Sequence, residues 1–196
     1  MNVLDHNLGI NARGVAAPPE DPLQLLPTDS QPAVFWITNV NNTIINNTAV
    51  GGKFVYWFSM PEKPTGLSAT KYANDRFLRP ICQPLLQFDD NTAHGAGENG
   101  FHCDDMVGPD GSIADGMYYP LIGPFDPKQP CSYSSNNEVE ANIRGFLAYK
   151  NRRFGIWGRS DFNFDNAKIL DNRRGFQVTG FSFLTNSMVV GETDNV

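Results

Sequence analysis

RGFLAYKNRRFGIWG, residues 144–158, is followed by DNAKILDNRRGFQVTG, residues 165–180. Asn151 recurs as Asn172, Gly155 as Gly175, Ile156 as Phe176, and the pair Arg152–Arg153 as Arg173–Arg174. The period is thus 20 to 21 residues, made of short β-type runs, a polar turn and a glycine. That is too short for a two-helix repeat. It suits one coil of a solenoid whose coils stack strand upon strand.

The pattern extends outward. Five asparagines align: Asn7, Asn47, Asn91, Asn151 and Asn172. Three residues before each stands an apolar residue: Leu4, Ile44, Phe88, Ala148 or Ile169. After most comes a glycine and then an apolar residue, as in Gly9–Ile10, Gly100–Phe101, Gly155–Ile156 and Gly175–Phe176. Stacked strands lie about 4.8 Å apart, so the apolar columns fill a shared core and the asparagines form one hydrogen-bonded ladder. The glycines are expected to supply a φ > 0 bend at a sharp corner. The fold class is all-β: a single-stranded right-handed parallel β-helix of about five to six coils. Residues 1–196 form one such domain.

Proline-rich stretches at 14–33, 59–80 and 104–137 read as surface insertions, because proline cannot donate to a strand ladder. The last is long enough to suggest a role of its own. Apolar content of 40% supports a buried core, and no apolar run approaches the ~20 residues of a membrane helix. The net charge of −6 is uneven: residues 1–143 carry 7 basic and 16 acidic residues, residues 144–196 carry 8 and 5. An anionic partner at the C-terminal end is therefore compatible with the acidic total. Cys82, Cys103 and Cys131 lack metal-type spacing. Either three thiols are free or one disulfide forms, with Cys103–Cys131 preferred because both flank one insertion. Of two glycosylation sequons, at Asn41 and Asn46, Asn41 is favoured because Asn46 adjoins the ladder and is expected to face inward.

FWITNVNNTIINNTAVGG, PTG at 64–66, FDDNTAH, GFLAYKNRRFGIW and VVGETDNV occur in one order, with DHNLG near the start. This series resembles the β-helix region of the family of cell-migration-inducing and hyaluronan-binding proteins, to which cell-surface hyaluronidases and fibrocystin-like proteins look related. The resemblance implies a pectin-lyase-like solenoid that is an internal piece of a longer protein. It implies an extracellular or cell-surface location and an acidic polysaccharide, hyaluronan, as partner. It leaves calcium conceivable, with no cofactor evident in the residues and no nucleic-acid partner. Flanking coils of the same chain would pack on both ends, and this stretch alone would be inactive as an enzyme. Two other readings stay open: a non-catalytic adhesion or receptor β-helix, and a pectate-lyase-like enzyme acting on another acidic polysaccharide.

Residues that could carry chemistry follow from the same alignment. The column before the ladder asparagine is polar in every coil: His6, Asn46, Asp90, Lys150, Asp171. His6 and Asp90 could move protons, as could His94 beside the glycine-rich corner, although each also reads as a solvated turn or cap. Asp89–Asp90 and Asp104–Asp105 offer oxygen ligands but no complete calcium loop, so they read as surface charge. Trp36, Trp57 and Trp157 read as core before sugar platforms. Arg152, Arg153, Arg173 and Arg174, with Lys150, are the candidate polyanion-binding set. A 21-residue offset would stack Arg152 on Arg173 and Arg153 on Arg174, and like charges so placed repel unless fanned into solvent or bridged by an anion.

Overall fold

A computed structural model describes residues 1–15, 30–72, 74–108, 110, 112–126, 129–131 and 137–191. Each coil contributes three strands. The first holds β1 (Val3–Asp5), β2 (Leu8–Ile10) and β3 (Ala33–Ile37); the second holds β4 (Thr43–Ile45), β5 (Thr48–Val50) and β6 (Phe54–Phe58). After helix α1 (Leu67–Lys71) the third coil follows with β7 (Gln87–Asp89), β8 (Thr92–His94) and β9 (Asn99–Cys103). A small antiparallel pair, β10 (Met106–Val107) and β11 (Ile113–Ala114), belongs to the long insertion. The fourth coil is β12 (Ala141–Arg144), β13 (Leu147–Tyr149) and β14 (Phe154–Arg159). The fifth is β15 (Phe162–Asp165), β16 (Lys168–Leu170) and β17 (Arg174–Thr179), and β18 (Phe183–Thr185) with β19 (Met188–Val190) begins a sixth.

The strands stack into three parallel sheets. The first is β1-β4-β7-β12-β15-β18, the second β2-β5-β8-β13-β16-β19, the third β3-β6-β9-β14-β17. This is the expected parallel β-helix, and Val189 pairs with Ile169 as the 20-residue spacing requires. The interior follows from alternation along each strand. Leu4, Ile44, Phe88, Ile143, Phe164 and Leu184 line the first sheet. The second sheet offers small residues, Gly9, Ala49, Ala93 and Ala148, before Ile169. They leave room for the rings of the third sheet: Phe101 lies 6.0 Å from Phe88, and Tyr56 lies 5.2 Å from Phe88, both edge to face. Each fully buried Phe of this kind is worth about 1.5–3 kcal/mol.

Two corners share one local solution, and this overturns the single five-membered ladder. Between the first and second sheets, His6, Asn46, Asp90, Asn166 and Asn186 hold φ near +50°. Between the second and third, Asn11, Lys150 and Asp171 do the same, with Gly51 and Gly95 in the matching places. At both corners the next residue turns inward. Asn7, Asn47 and Asn91 do so at the first corner: Asn7 Nδ2 donates to Asn47 Oδ1 at 2.8 Å, and Asn47 Nδ2 to Asn91 Oδ1 at 3.0 Å. Asn151 and Asn172 do so at the second, joined at 2.9 Å, and the amide of Ala96 rather than Asn91 donates to Asn151 Oδ1, at 3.0 Å. Asn91 and Asn151 are therefore not neighbours in one ladder. In the first-corner column Asn91 is followed by Phe146 and then Ala167.

The glycine column has a different cause from the one expected. Gly100 and Gly155 do not hold φ > 0. A Cβ at Gly155 would lie 2.8 Å from Asn172 Nδ2 and 2.7 Å from Ile169 Cγ2, and one at Gly100 would lie 2.8 Å from Asn151 Nδ2. These glycines make room for the inward asparagines.

The expected loop at 14–33 lies, for residues 16–29, outside the described residues. The long insertion is bonded to the 59–86 region: Tyr119 N–H donates to Ile81 O at 2.9 Å and Leu121 N–H to Cys82 O at 2.8 Å. The buried Arg79 reaches Glu62 Oε1 and the carbonyls of Asp126 and Gln129. The disulfide is Cys82–Cys131, with Cα atoms 6.1 Å apart, and not Cys103–Cys131. Cys103 is free and buried in the core cluster, paired in register with Phe58 and Gly158 of the neighbouring coils, while Cys131 is held by Cys82. Burial first, then the nearby Asp104 carboxylate, pushes its thiol pKa far up. No helix among the described residues is long and apolar enough to cross a membrane.

Candidate functional site

The arginines meet at the second corner of the fourth and fifth coils. In the fourth, Lys150 turns with φ 52°, Asn151 points inward, and Arg152–Arg153 pass outside before Phe154 opens β14. The fifth coil makes the same passage one residue shorter. The offset is 21 at Tyr149↔Leu170 but 20 at Phe154↔Arg174. Arg174 therefore lies beside Phe154 and not beside Arg153, which corrects the expected one-to-one stack. The guanidinium carbons of Arg153 and Arg174 stand 5.2 and 5.3 Å from the centroid of the Phe154 ring, which gives both cations a favourable π face.

All four arginines are exposed, and together with Gly97, Glu98 and Asn151 they line one open groove of about 710 Å³. Glu98 comes from the third coil and was not anticipated. It takes Arg153 Nη1 at 3.1 Å on one oxygen and Lys53 Nζ at 3.5 Å on the other. Among the described residues no acidic side chain pairs with Arg152, Arg173 or Arg174. Chemically, the groove offers planar donor forks that suit carboxylates or sulfates. Lys150 turns at the same corner but is not among the groove's lining residues.

The acid–base candidates are spread out. His6 and Asp90 occupy the first corner two coils apart, about 9.6 Å by strand spacing. His6 is exposed and bonded to Asp5. A Cβ on Gly145 would meet the Asp90 carboxylate, so Asp90 lies over that glycine. His94 ends β8, on the far side of that strand from Asp90. It stacks on Tyr149, ring centroids 4.5 Å apart, and burial lowers its pKa. The structure does not bring His6, Asp90 and His94 together. Asn41 is exposed in the β3–β4 loop; Asn46 is exposed too, contrary to the inward orientation expected.

A second polar cluster forms around Asp104 and Asp105, which the sequence reads as surface charge. Asp104 is buried and not surface charge. Its Oδ1 accepts Gly116 N–H at 3.0 Å, and its Oδ2 accepts Trp157 Nε1–H at 3.1 Å. Arg159 Nη1 sits 3.3 Å from Asp104 and 3.1 Å from Asp115. His102 bridges Asn99 at 2.7 Å and Asp105 at 3.0 Å, its ring parallel to Phe54 at 4.0 Å. The hydrogen bond from His102 holds the Asp105 carboxyl below its ordinary range. Oxygens of Asp104, Asp105 and Asp115 lie within 4.8 Å of one another. Calcium needs six to eight oxygen ligands, whereas here Arg159 already bridges two of the three carboxylates, so the residues present do not fit that ion. The sequence marks only the adjacent Asp104–Asp105 pair, because the other members come from two coils and the rest of the insertion.

The tryptophans share one column, Trp36↔Trp57↔His102↔Trp157. Trp57 alternates with Tyr56 and Phe58, which point into the core cluster, so the column faces outward. Trp57 is covered and Trp36 is half exposed, which replaces the expectation that all three are core.

The chain is 29% identical over 236 residues to the human cell migration-inducing and hyaluronan-binding protein, a match covering all of this chain and 16% of that protein. It is 29% identical over 205 residues to human cell surface hyaluronidase CEMIP2, covering 89% of this chain and 14% of the relative. Mouse fibrocystin-L is 39% identical over 100 residues, covering 49% of this chain and 2% of that protein. The chain spans a fifth or less of the length of these curated relatives. Residues 1–101, covering the first two coils and most of the third, match the family described as CEMIP beta-helix. With three stacked parallel sheets and inward asparagines at the corners, the chain belongs to the CEMIP β-helix family.

Proposed function

We propose that this domain is a polysaccharide-contacting β-helix of an extracellular or cell-surface protein, and that its arginine groove takes the carboxylates of an acidic polysaccharide such as hyaluronan. The observation that carries this reading is four exposed arginines around one groove with a single carboxylate, Glu98, shared with Lys53. Hyaluronan is named in the description of a relative that covers the whole chain. A polyanion bridging the groove relieves the repulsion among the guanidinium groups. Asn41, exposed on its loop, is the proposed glycan acceptor. Titration of hyaluronan oligomers at two salt concentrations tests the groove. Arg152→Ser with Arg173→Ser should weaken binding several-fold at low salt, with the difference shrinking as salt rises. Lys63→Ser with Lys71→Ser, in the 59–80 insertion, should do less. Equal affinity of wild type and arginine double variant at low salt would reduce the groove to a solvated corner.

The domain by itself is proposed to bind without cleaving, since His6, Asp90 and His94 are too dispersed to act on one bond. Time-resolved sizing of hyaluronan mixed with the chain should show no shortening. Shortening that is lost in His94→Ala would overturn this and locate the acid. A non-catalytic adhesion role is the second reading, and the separation of His6, Asp90 and His94 favours it.

A further inference from the structure

We propose that the cleft beside Trp36 is a subsite for an uncharged sugar ring, separate from the arginine groove. Trp36 projects from β3 on the outer face of the third sheet and is 47% exposed. Its neighbour in the column, Trp57, lies 6.1 Å behind it at an interplanar angle of 26°. Trp57 is itself covered and anchored by an Nε1–H bond to Asp104 O at 3.0 Å. Trp36 thus presents a ring face that is held from behind.

Trp36 lines a cleft of about 400 Å³ together with Tyr72 and other residues of the insertion that carries α1, and Trp57 is not among the lining residues. Small-molecule sites fall in this size range and combine aromatic surface with a few polar groups. The polar groups here are the side chains of Thr38, Asn39, Thr65 and Ser68, and among the described residues none that lines the cleft is charged. Asn39 accepts the Asn41 amide on Oδ1 at 2.8 Å, which leaves its amide nitrogen for a ligand. The wall is preformed, because Ser59 Oγ donates to Asp105 O at 3.0 Å and accepts the Val107 amide at 3.1 Å.

A pyranose ring matches this chemistry. Its C–H face packs on an aromatic ring, and its hydroxyls and any acetamido group exchange hydrogen bonds with hydroxyl and amide side chains. A uronate placed here would be desolvated without a counter-charge, so the cleft selects the neutral sugar. By strand spacing and rise, Trp36 and Phe154 lie three coils and three residues apart, about 17 Å on the diagonal of one face. An extended chain of alternating neutral and anionic sugars could touch both, yet the subsite stands whether or not the groove holds a polyanion.

The test is a titration of the chain with N,N′-diacetylchitobiose, an uncharged disaccharide, followed by saturation-transfer NMR and tryptophan emission. Glucuronate serves as the charged comparison. Saturable binding of the disaccharide is expected, unchanged by salt and tighter than that of glucuronate. Trp36→Ala should weaken it about tenfold or more, while Trp36→Phe retains most of it. Tyr72→Ala should weaken it as well, and as Tyr72 lies in an insertion its loss leaves the coils intact. Arg152→Ser with Arg173→Ser should leave disaccharide binding unchanged, which separates this subsite from the groove. No saturable response, unchanged affinity in Trp36→Ala or Tyr72→Ala, or preference for glucuronate would overturn the proposal.

Discussion

Gly155 and Asn172 are two halves of one contact. The asparagine side chain turns inward at the second corner and donates to Ala148 O at 3.0 Å, and the glycine leaves it space. A methyl at Gly155 meets three atoms closer than 3 Å, one of them the backbone oxygen of Gly175. Gly155→Ala is therefore expected to lower stability by about 1–3 kcal/mol, as overpacking does. Gly191→Ala serves as the control for lost glycine, since like Gly155 it holds no positive φ but has open space around it. Urea unfolding of both variants makes the comparison, and equal losses would mean that close packing at the corner is not the cause. His94 gives a pH signature at the same scale. Burial favours the neutral imidazole, so the folded chain takes up the proton at lower pH than the unfolded chain, whose His titrates near 6.5. Below that value the unfolded state binds more protons, and stability falls with acidification until the folded His94 also protonates. His94→Gln should flatten that part of the stability–pH curve, as measured by thermal unfolding between pH 7.5 and 5. An unchanged slope would assign it to other groups.

At the scale of elements, the groove and the insertions have separable energetics. Glu98 neutralises Arg153 and Lys53 from the coil between them. Glu98→Gln should raise affinity for a polyanion a few-fold at low salt and steepen its salt dependence, because two cations are released. Lower affinity in a competition assay would show that Glu98 positions the arginines instead. The Cys82–Cys131 disulfide closes a loop with a sequence separation of 49 and ties the long insertion to the 3₁₀ turn at Pro80–Cys82. Removing it with Cys131→Ser should cost about 2–4 kcal/mol. Limited proteolysis should then cut first in the insertion, while the stacked coils, held by their own ladders, remain protected. Cleavage that begins in the coils would mean that the insertion holds the solenoid together.

Across the whole molecule, stability passes from coil to coil, and the two ends differ from the middle. Leu8 and Ile10 at one end are each 64% exposed, and Phe183, Met188 and Val189 at the other are about half exposed. Among the described residues, β1, β2 and β3 have a strand partner on one side only, as do β17, β18 and β19. Open parallel edges with apolar neighbours recruit other strands. The 196-residue chain is accordingly expected to self-associate with rising concentration, as read by sedimentation velocity. A charged substitution at an edge, such as Val189→Lys, should reduce it. A chain that stays monomeric at all concentrations would contradict this account.

The linear sequence determined the class of fold. The 20–21-residue period, the apolar residue in each short strand and the polar residue followed by asparagine are local consequences of a strand, a left-handed turn residue and an inward amide, and they were legible as such. Which corner each turn occupied was decided only by tertiary structure. LDHN, FDDN and ILDN satisfy the same dihedral and burial requirements, so the pattern is degenerate between the two corners until the strands pair. The same holds for the arginines. Their clustering follows from the repeat, but the one-residue shortening between Asn172 and Arg174, which sets Arg174 against Phe154, appears only in the register of the third sheet. The Cys82–Cys131 pairing, the Glu98 contact and the Trp36 cleft depend on where the insertions fold back over the coils. Those are contacts between residues far apart in the chain, with no periodic pattern to mark them.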